Sequence, residues 1–553
     1  MKHFNKKLST GLLFIIVLSL FSFREKLPDR YFEIIRGLDI FTTLYKELNT
    51  FYVDEINPTE LLNTGIEAML QSLDPYTNYI PEDRIEDYRI MSTGQYGGIG
   101  TAVARFENEI LVLMTFEGSP AEKAGVKIGD RILKIDNKKV DDLNTKEINT
   151  LLKGQLGTSL SLTITRKNEN KPIVLNMERD RISIKSVPFY GMVSNDIGYV
   201  RLTEFSNGAG ADIRAALIEL KEKGASKLML DLRGNPGGLL NEAIEVSNLF
   251  IPKGKEVVST KGKIEEWNKN YKATKNPVDV NIPIAVLISN GSASASEIVA
   301  GVMQDYDRGI LVGQKSFGKG LVQATRPLSY NSQLKLTTAK YYIPSGRCIQ
   351  AIDYSNRNED GSVGQIQDSL KQEFKTQAGR SVYDGGGVSP DVEVEAFNYA
   401  PITIQLIKNG LIFSFVTDYY YDNLNNIPDP EKFEISDPLF EKFTNWLQNK
   451  NYSYESDTEK TLDKLINEAK DDKYYTFLEK ELAAVLTEIE SHKNEDISTF
   501  EDEIKQVLKE EIMARYHKRQ GMIQSSFKTD KEVRKAIEVL NDSNKYRSVL
   551  SAK

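Results

Sequence analysis

Residues 284–300 read Ile284-Ala285-Val286-Leu287-Ile288-Ser289-Asn290-Gly291-Ser292-Ala293-Ser294-Ala295-Ser296-Glu297-Ile298-Val299-Ala300. Five consecutive apolar residues closed by a Ser-Asn-Gly turn predict a buried strand. The serine-rich stretch beyond the turn opens a helix over about 295–304. Outward from this unit the same rhythm repeats. A strand at 198–202 precedes a helix at 210–223, and a strand at 227–232 precedes a helix from about 239 to 250. A further strand is expected at 309–312. Strands alternating with helices predict a largely parallel α/β core, which spans 183–394. Residues 253–279 interrupt it with a polar, lysine-rich stretch, read as a surface insert or lid.

The flanking regions differ in texture. Residues 93–182 carry short β-like runs (Ile110-Leu111-Val112-Leu113, Arg131-Ile132-Leu133-Lys134-Ile135, Leu160-Ser161-Leu162-Thr163-Ile164) separated by glycine turns, with short helices opening at Ser119-Pro120-Ala121 and near Lys146. They form a small β-rich module. Residues 30–92 show helical spacing, as in Ile40, Leu44 and Leu48. Residues 395–553 are helical and charged, with Phe500, Ile504, Val507, Leu508 and Ile512 on one face. At the N-terminus Lys2, Lys6 and Lys7 precede the apolar run from Gly11 to Phe23. Residues 1–23 are therefore read as a signal peptide or an uncleaved membrane anchor, and the remainder as exported, periplasmic or otherwise extracytoplasmic.

Composition removes several chemistries. The 553 residues carry a formal charge of -8, which argues against nucleic acid as a partner, because phosphate binding needs a concentrated basic face. One cysteine, Cys348, permits no intramolecular disulfide. Of three histidines, His3 lies in the export segment, and His492 and His517 lie in the polar C-terminal region. No three-histidine metal site or H-E-x-x-H zinc motif can be drawn from them.

The remaining chemistry centres on Ser294. Ser294-x-x-Glu297 reads as a capping box that starts a helix, and a serine there can also attack, since the helix N-terminus stabilises an adjacent anion. Its hydroxyl needs a base, and the core offers no histidine. The next candidate is Lys319 in Lys315-Ser316-Phe317-Gly318-Lys319-Gly320. A lysine serves as base only when neutral, which requires an apolar surround such as Phe317, Leu321 and Val322. Two other motifs compete for Lys319. A near P-loop over 313–319 lacks the Ser/Thr for Mg²⁺, and Ser316-x-x-Lys319 lacks its partner K-T-G; both must open a helix, whereas 321–325 has β character. Spacing alone does not choose among Ser292, Ser294 and Ser296.

With these motifs in place, the chain resembles the C-terminal processing peptidases, or tail-specific proteases, over about residues 60–392. The resemblance rests on S-A-S-A-S-E at 292–297, F-G-K-G at 317–320, Asp231-Leu-Arg-Gly-Asn-Pro-Gly-Gly238, Gly65 to Thr77 and Gly385 to Asp391. It implies a crotonase/ClpP-like α/β protease core with an inserted PDZ domain, an N-terminal helical segment and a helical C-terminal region. It also implies Ser294 as nucleophile, Lys319 as base and Gln323 as the residue orienting the lysine amine. Gly237 and Ala295 would supply the oxyanion-hole amides. Tyr96, Gly97, Gly98, Ile99 and Gly100 match the loop that receives a peptide carboxylate. Lys153 stands where some relatives carry an arginine that couples peptide binding to the site; lysine lacks the bidentate fork. The activity the resemblance implies is a serine endopeptidase that recognises unfolded or tail-exposed proteins by their C-termini and needs no metal or organic cofactor. A homo-oligomer stays open. The alternatives are a non-catalytic PDZ adaptor and a crotonase-like acyl-CoA enzyme.

Overall fold

The computed structural model describes residues 27–552 apart from 355–356 and 358–361, so the export segment at 1–23 lies outside the described residues. Among the described residues no helix is long and apolar enough to cross a membrane. The described residues divide into two compact units, 27–79 and 80–552. In the first, helices Leu27–Phe51 and Pro58–Gln71 are joined by a turn. Asn57 caps the second helix by accepting from the Thr59 and Glu60 amides at 3.1 and 3.3 Å, and Pro58 takes the position where a missing N–H costs nothing.

In the second unit the β-rich module is a sheet with Thr101–Phe106 at one edge, followed in order by Glu109–Thr115, Arg131–Ile135, Ser159–Thr165 and Ile173–Glu178. Alternate residues point inward, and Ile110, Val112, Ile132, Leu162 and Ile164 form its core. Helix Thr145–Leu152, held by a capping box between Asn144 and Glu147, lies against the edge strand. The two ends of the module meet in an antiparallel ribbon, Gln95–Gly98 with Asp180–Ser183.

The α/β core is a six-stranded sheet ordered Phe189–Met192, Ile197–Arg201, Lys227–Asp231, Ile284–Ile288, Ile310–Gly313, Val392–Glu393. Only the first pair is antiparallel; the other four pairings are parallel. Helices Ala209–Glu222, Leu240–Asn248 and Ala295–Asp305 cover one face through Ile213, Leu217, Val246, Val299 and Val302. Their starts and ends fall within a few residues of the sequence expectation.

Two regions gain detail. Within residues 253–279, read above as a surface insert or lid, strand Glu256–Gly262 pairs with Lys269–Lys272 and, on its other side, with Gln333–Tyr342. The lysines lie on the solvent side of a hairpin whose Val257 and Val258 are fully buried. The C-terminal region also does not stop at its own core. Ile523, Val533, Ala536, Val539 and Leu540 pack against Phe189, Tyr199, Met229, Ala285, Leu287 and Val312, covering the second face of the sheet. Strands that are apolar on both faces require exactly such a cover, because an exposed face of Ala285, Leu287 and Val312 would leave that apolar area in water.

This packing yields a prediction. Leu540→Ala should cost about 2–5 kcal/mol, and amide hydrogen exchange should accelerate in strands Ile284–Ile288 and Ile310–Gly313. Faster exchange confined to the C-terminal helices would mean that they form a separate domain.

Candidate active site

Three adjacent strands of the core end on the same side, and the loops leaving them meet. Lys227–Asp231 feeds loop 232–239, Ile284–Ile288 feeds 289–294, and Ile310–Gly313 feeds 314–320. Gly313 marks the exit of the third: at φ +126° any Cβ would lie 2.1 Å from the Ile288 carbonyl oxygen.

Ser294 caps helix Ala295–Asp305 with φ 55° and ψ −111°, a conformation that costs a non-glycine residue about 1–3 kcal/mol. Its surroundings hold it there. The Ser294 N–H donates to Glu297 Oε2 at 2.8 Å, and its carbonyl accepts from the Glu297 and Ile298 amides and from the Tyr341 hydroxyl at 2.9, 3.0 and 3.1 Å. The neighbouring serines are occupied otherwise. Ser292 Oγ donates to the Leu232 carbonyl at 2.8 Å and Ser296 Oγ to the Asn235 carbonyl at 2.9 Å, both fully buried. Of the three serines, Ser294 alone reaches solvent.

Glu297 does more than cap. It is fully buried, and its Oε2 accepts from the Ser294 and Lys319 amides at 2.8 and 2.9 Å. Its Oε1 accepts from Ser316 Oγ and the Gly318 amide at 2.6 and 2.7 Å. One carboxylate therefore ties the backbone of Ser294 to that of Lys319. Burial pushes its carboxyl above the usual range, against the pull of these four donors. Sequence reading missed this role, because S-x-x-E carries the same signature whether the glutamate serves its own helix or also a second loop.

Lys319 sits half-buried between Gly318 and Gly320, on a loop pinned by Phe317 N–H to the Ser292 carbonyl at 3.0 Å and by the Val388 N–H to Ser316 Oγ at 2.7 Å. Ser316 is thus consumed as a buried strut, and 321–327 is a strand. Neither the P-loop nor the S-x-x-K reading survives. Gln323 lies on that strand opposite Thr337, and its Nε2 donates to Thr337 Oγ1 at 3.2 Å, which turns Oε1 away from Thr337.

Gly237 stands against the same serine: at φ +102° its Cβ would lie 2.8 Å from Ser294 Cβ and 2.9 Å from the Ala295 nitrogen, so only glycine fits. Its own N–H donates to Asn235 Oδ1 at 2.9 Å. An oxyanion at this place would share that amide with Asn235, while the Ala295 amide is among the first of its helix, where donors lack intrahelical partners. His517 lies apart, its ring bonded to the Pro428 carbonyl, and His492 sits on helix Tyr475–Lys493.

In the β-rich module, Tyr96, Gly97 and Gly98 belong to the closing ribbon, and Ile99 and Gly100 lead into the edge strand. Burial pushes the Tyr96 phenol up to about 12. Gly100 at φ +77° leaves no room for a side chain beside Ser119. Lys153 pairs with Asp87 at 3.1 Å, both partly exposed, and lies 5.7 Å from the Tyr96 ring centre.

The clamp is testable by stability alone. Glu297→Leu strands four donors in a dry site and should cost at least about 3 kcal/mol, read as a lower urea midpoint and faster proteolytic nicking of 314–320. An unchanged midpoint would show that the four bonds hold nothing.

Comparison with known proteins accounts for this assembly. Residues 196–355 match the model of peptidase family S41, residues 117–166 a PDZ domain, and residues 402–540 the C-terminal helical domain of a probable PDZ-protease. The chain is 41% identical over 316 residues to a carboxy-terminal-processing protease of Bartonella bacilliformis, an alignment covering 56% of this chain and 72% of that protein. It is 35% identical over 306 residues to the carboxy-terminal processing protease CtpA of Bacillus subtilis, covering 55% and 65%. Among solved structures, the photosystem II D1 C-terminal processing protease aligns at 25% identity and a TM-score of 0.35, over 64% of this chain and 92% of that one. The chain belongs to the carboxy-terminal-processing proteases of peptidase family S41, and is a serine-type endopeptidase with a PDZ domain and a C-terminal helical domain.

Proposed function

We propose that this endopeptidase cleaves by a Ser–Lys mechanism and takes its substrates by their C-termini. The observation that carries the reading is the shared Glu297 oxygen, which holds the strained, solvent-reached Ser294 beside Lys319 while Ser292 and Ser296 are spent as buried donors. Ser294 Oγ attacks the scissile carbonyl as the neutral Lys319 amine takes its proton. The oxyanion that forms is stabilised by the Ala295 amide and by the Gly237 amide, the latter shared with Asn235. The Lys319 ammonium then protonates the leaving amine, which departs and leaves an acyl group on Ser294. Water, deprotonated by Lys319, releases the new carboxyl terminus. Gln323 Oε1 holds the lysine amine in line.

Substrate capture falls to the PDZ domain. Strand Thr101–Phe106 is a sheet edge beside helix Thr145–Leu152, so an extended peptide can add as a further strand. Its terminal carboxylate would meet the amides of loop 96–100. Unfolded or tail-exposed proteins are the partners this geometry favours. The basic and apolar residues at 1–23 favour action outside the cytoplasm, as a cleaved or anchored protein.

Digestion of an unstructured protein tests the mechanism. Ser294→Ala and Lys319→Arg should each lose roughly 10⁴-fold in kcat/KM, the second because a guanidinium stays protonated. Ser292→Ala and Ser296→Ala should keep measurable turnover. Near-wild-type hydrolysis by Lys319→Arg would remove Lys319 as base. Amidating the substrate's C-terminus should raise KM, and equal binding of acid and amide would discard carboxylate capture. A chain that binds tails and cuts none would be the adaptor instead.

A further inference from the structure

The C-terminal helix Lys531–Asn541 brings two carboxylates to the loops around Ser294. Its cap, Asp530, accepts from the Val533 amide at 3.0 Å and from Arg233 Nη1 at 2.9 Å. One residue into the helix, Glu532 Oε2 accepts from the same Nη1 at 3.2 Å, while Oε1 accepts from Gln314 Nε2 at 3.0 Å. These partners lie on different loops. Arg233 precedes Gly237 and is doubly bonded to Asp231, through Nε at 3.0 Å and Nη2 at 2.7 Å. Gln314 opens the loop that carries Lys319 and also donates to the Val394 carbonyl at 2.9 Å. Strands Lys227–Asp231 and Ile310–Gly313, which feed the two loops, flank strand Ile284–Ile288, which feeds Ser294. A single carboxylate of the C-terminal domain therefore straddles the strand of the nucleophile and fastens the loops on either side.

Packing alone does not ask for this arrangement. Val533, Ala536, Val539 and Leu540 already bury the helix against the sheet. A largely buried ionic group costs desolvation that an apolar side chain of similar size would avoid, so its value lies in the geometry it fixes. Gln314 and Arg233 hold the Glu532 carboxyl below its usual range against burial, whereas burial and the neighbouring carboxylates push Asp530 up. Glu532 bonds both Arg233 and Gln314, and so reaches the loops on both sides of the Ser294 strand.

We propose that Glu532 is a positioning residue for proteolysis, setting the separation between the Gly237 loop and the Lys319 loop, and that the C-terminal helical domain is thereby part of the catalytic unit. This rests on the Ser294–Lys319 reading above. It acts through Arg233 and Gln314 and touches no substrate. Loops displaced by an ångström lose up to about 100-fold in rate, without loss of substrate affinity.

The test uses the full chain and a peptide substrate, with kcat, KM and urea midpoint measured for Glu532→Met, Glu532→Gln, Asp530→Asn and Ser294→Ala. Glu532→Met should lower kcat about 10- to 100-fold with KM within about twofold and the midpoint near wild type. Glu532→Gln keeps an oxygen for Gln314 and should be intermediate; if the methionine variant does not fold, the near-isosteric glutamine variant carries the test. Asp530→Asn keeps the cap oxygen and should lose less kcat than Glu532→Met. Wild-type kcat in both Glu532 variants, with Ser294→Ala inactive, would overturn this proposal alone. Loss of kcat that merely tracks the midpoint across all variants would also overturn it. An active Ser294→Ala would overturn the site reading and this proposal together.

Discussion

A parallel sheet with two apolar faces is the constraint from which the rest follows. Every residue of strand Ile284–Ile288 is fully buried, and alternate side chains go to opposite faces. Val286 and Ile288 face the three helices that the α/β rhythm supplies, whereas Ala285 and Leu287 face the opposite side, toward Val533, Ala536, Val539 and Leu540. The C-terminal helices fill that side, and in doing so they carry Asp530 and Glu532 to the rim of the active site. The same helices thus close the sheet and bond the loops beside Ser294.

At the rim, buried carboxylates do the holding. Asp231 is fully buried; burial pushes it up, but Arg233 and Arg201 outweigh that and hold it below the usual range. Glu297 goes the other way: burial pushes its carboxyl up against the pull of its four donors, three amides and one hydroxyl. Both carboxylates are costly taken singly, and both are met by donors from more than one loop. That balance lets Ser294 keep a backbone conformation that would relax in a freer setting.

Much of this was legible in the sequence where the signal is local. The apolar runs at 131–135 and 284–288 coincide with strands, and the serine-rich turn at 292–297 opens a helix. Likeness to the peptidase family selected Ser294, which spacing could not. What the sequence hid depends on contacts distant along the chain. The apolar stripe Val533, Ala536, Val539, Leu540 is visible at helical spacing, but nothing local says that its partner is a strand some 250 residues earlier. The lysines of 253–279 suggested a solvated insert because the buried Val257 and Val258 are so few beside them. Asn235 gave no hint that its side chain would take the Gly237 amide.

In the Ser–Lys mechanism proposed above, Ser294 is the activated nucleophile. The most direct measurement is mass-spectrometric mapping of the adduct left by a serine-directed fluorophosphonate on the full-length protein. One adduct is expected, on Ser294, absent from Lys319→Arg. A stable adduct on Ser292 or Ser296, or equal labelling of Lys319→Arg, would contradict it.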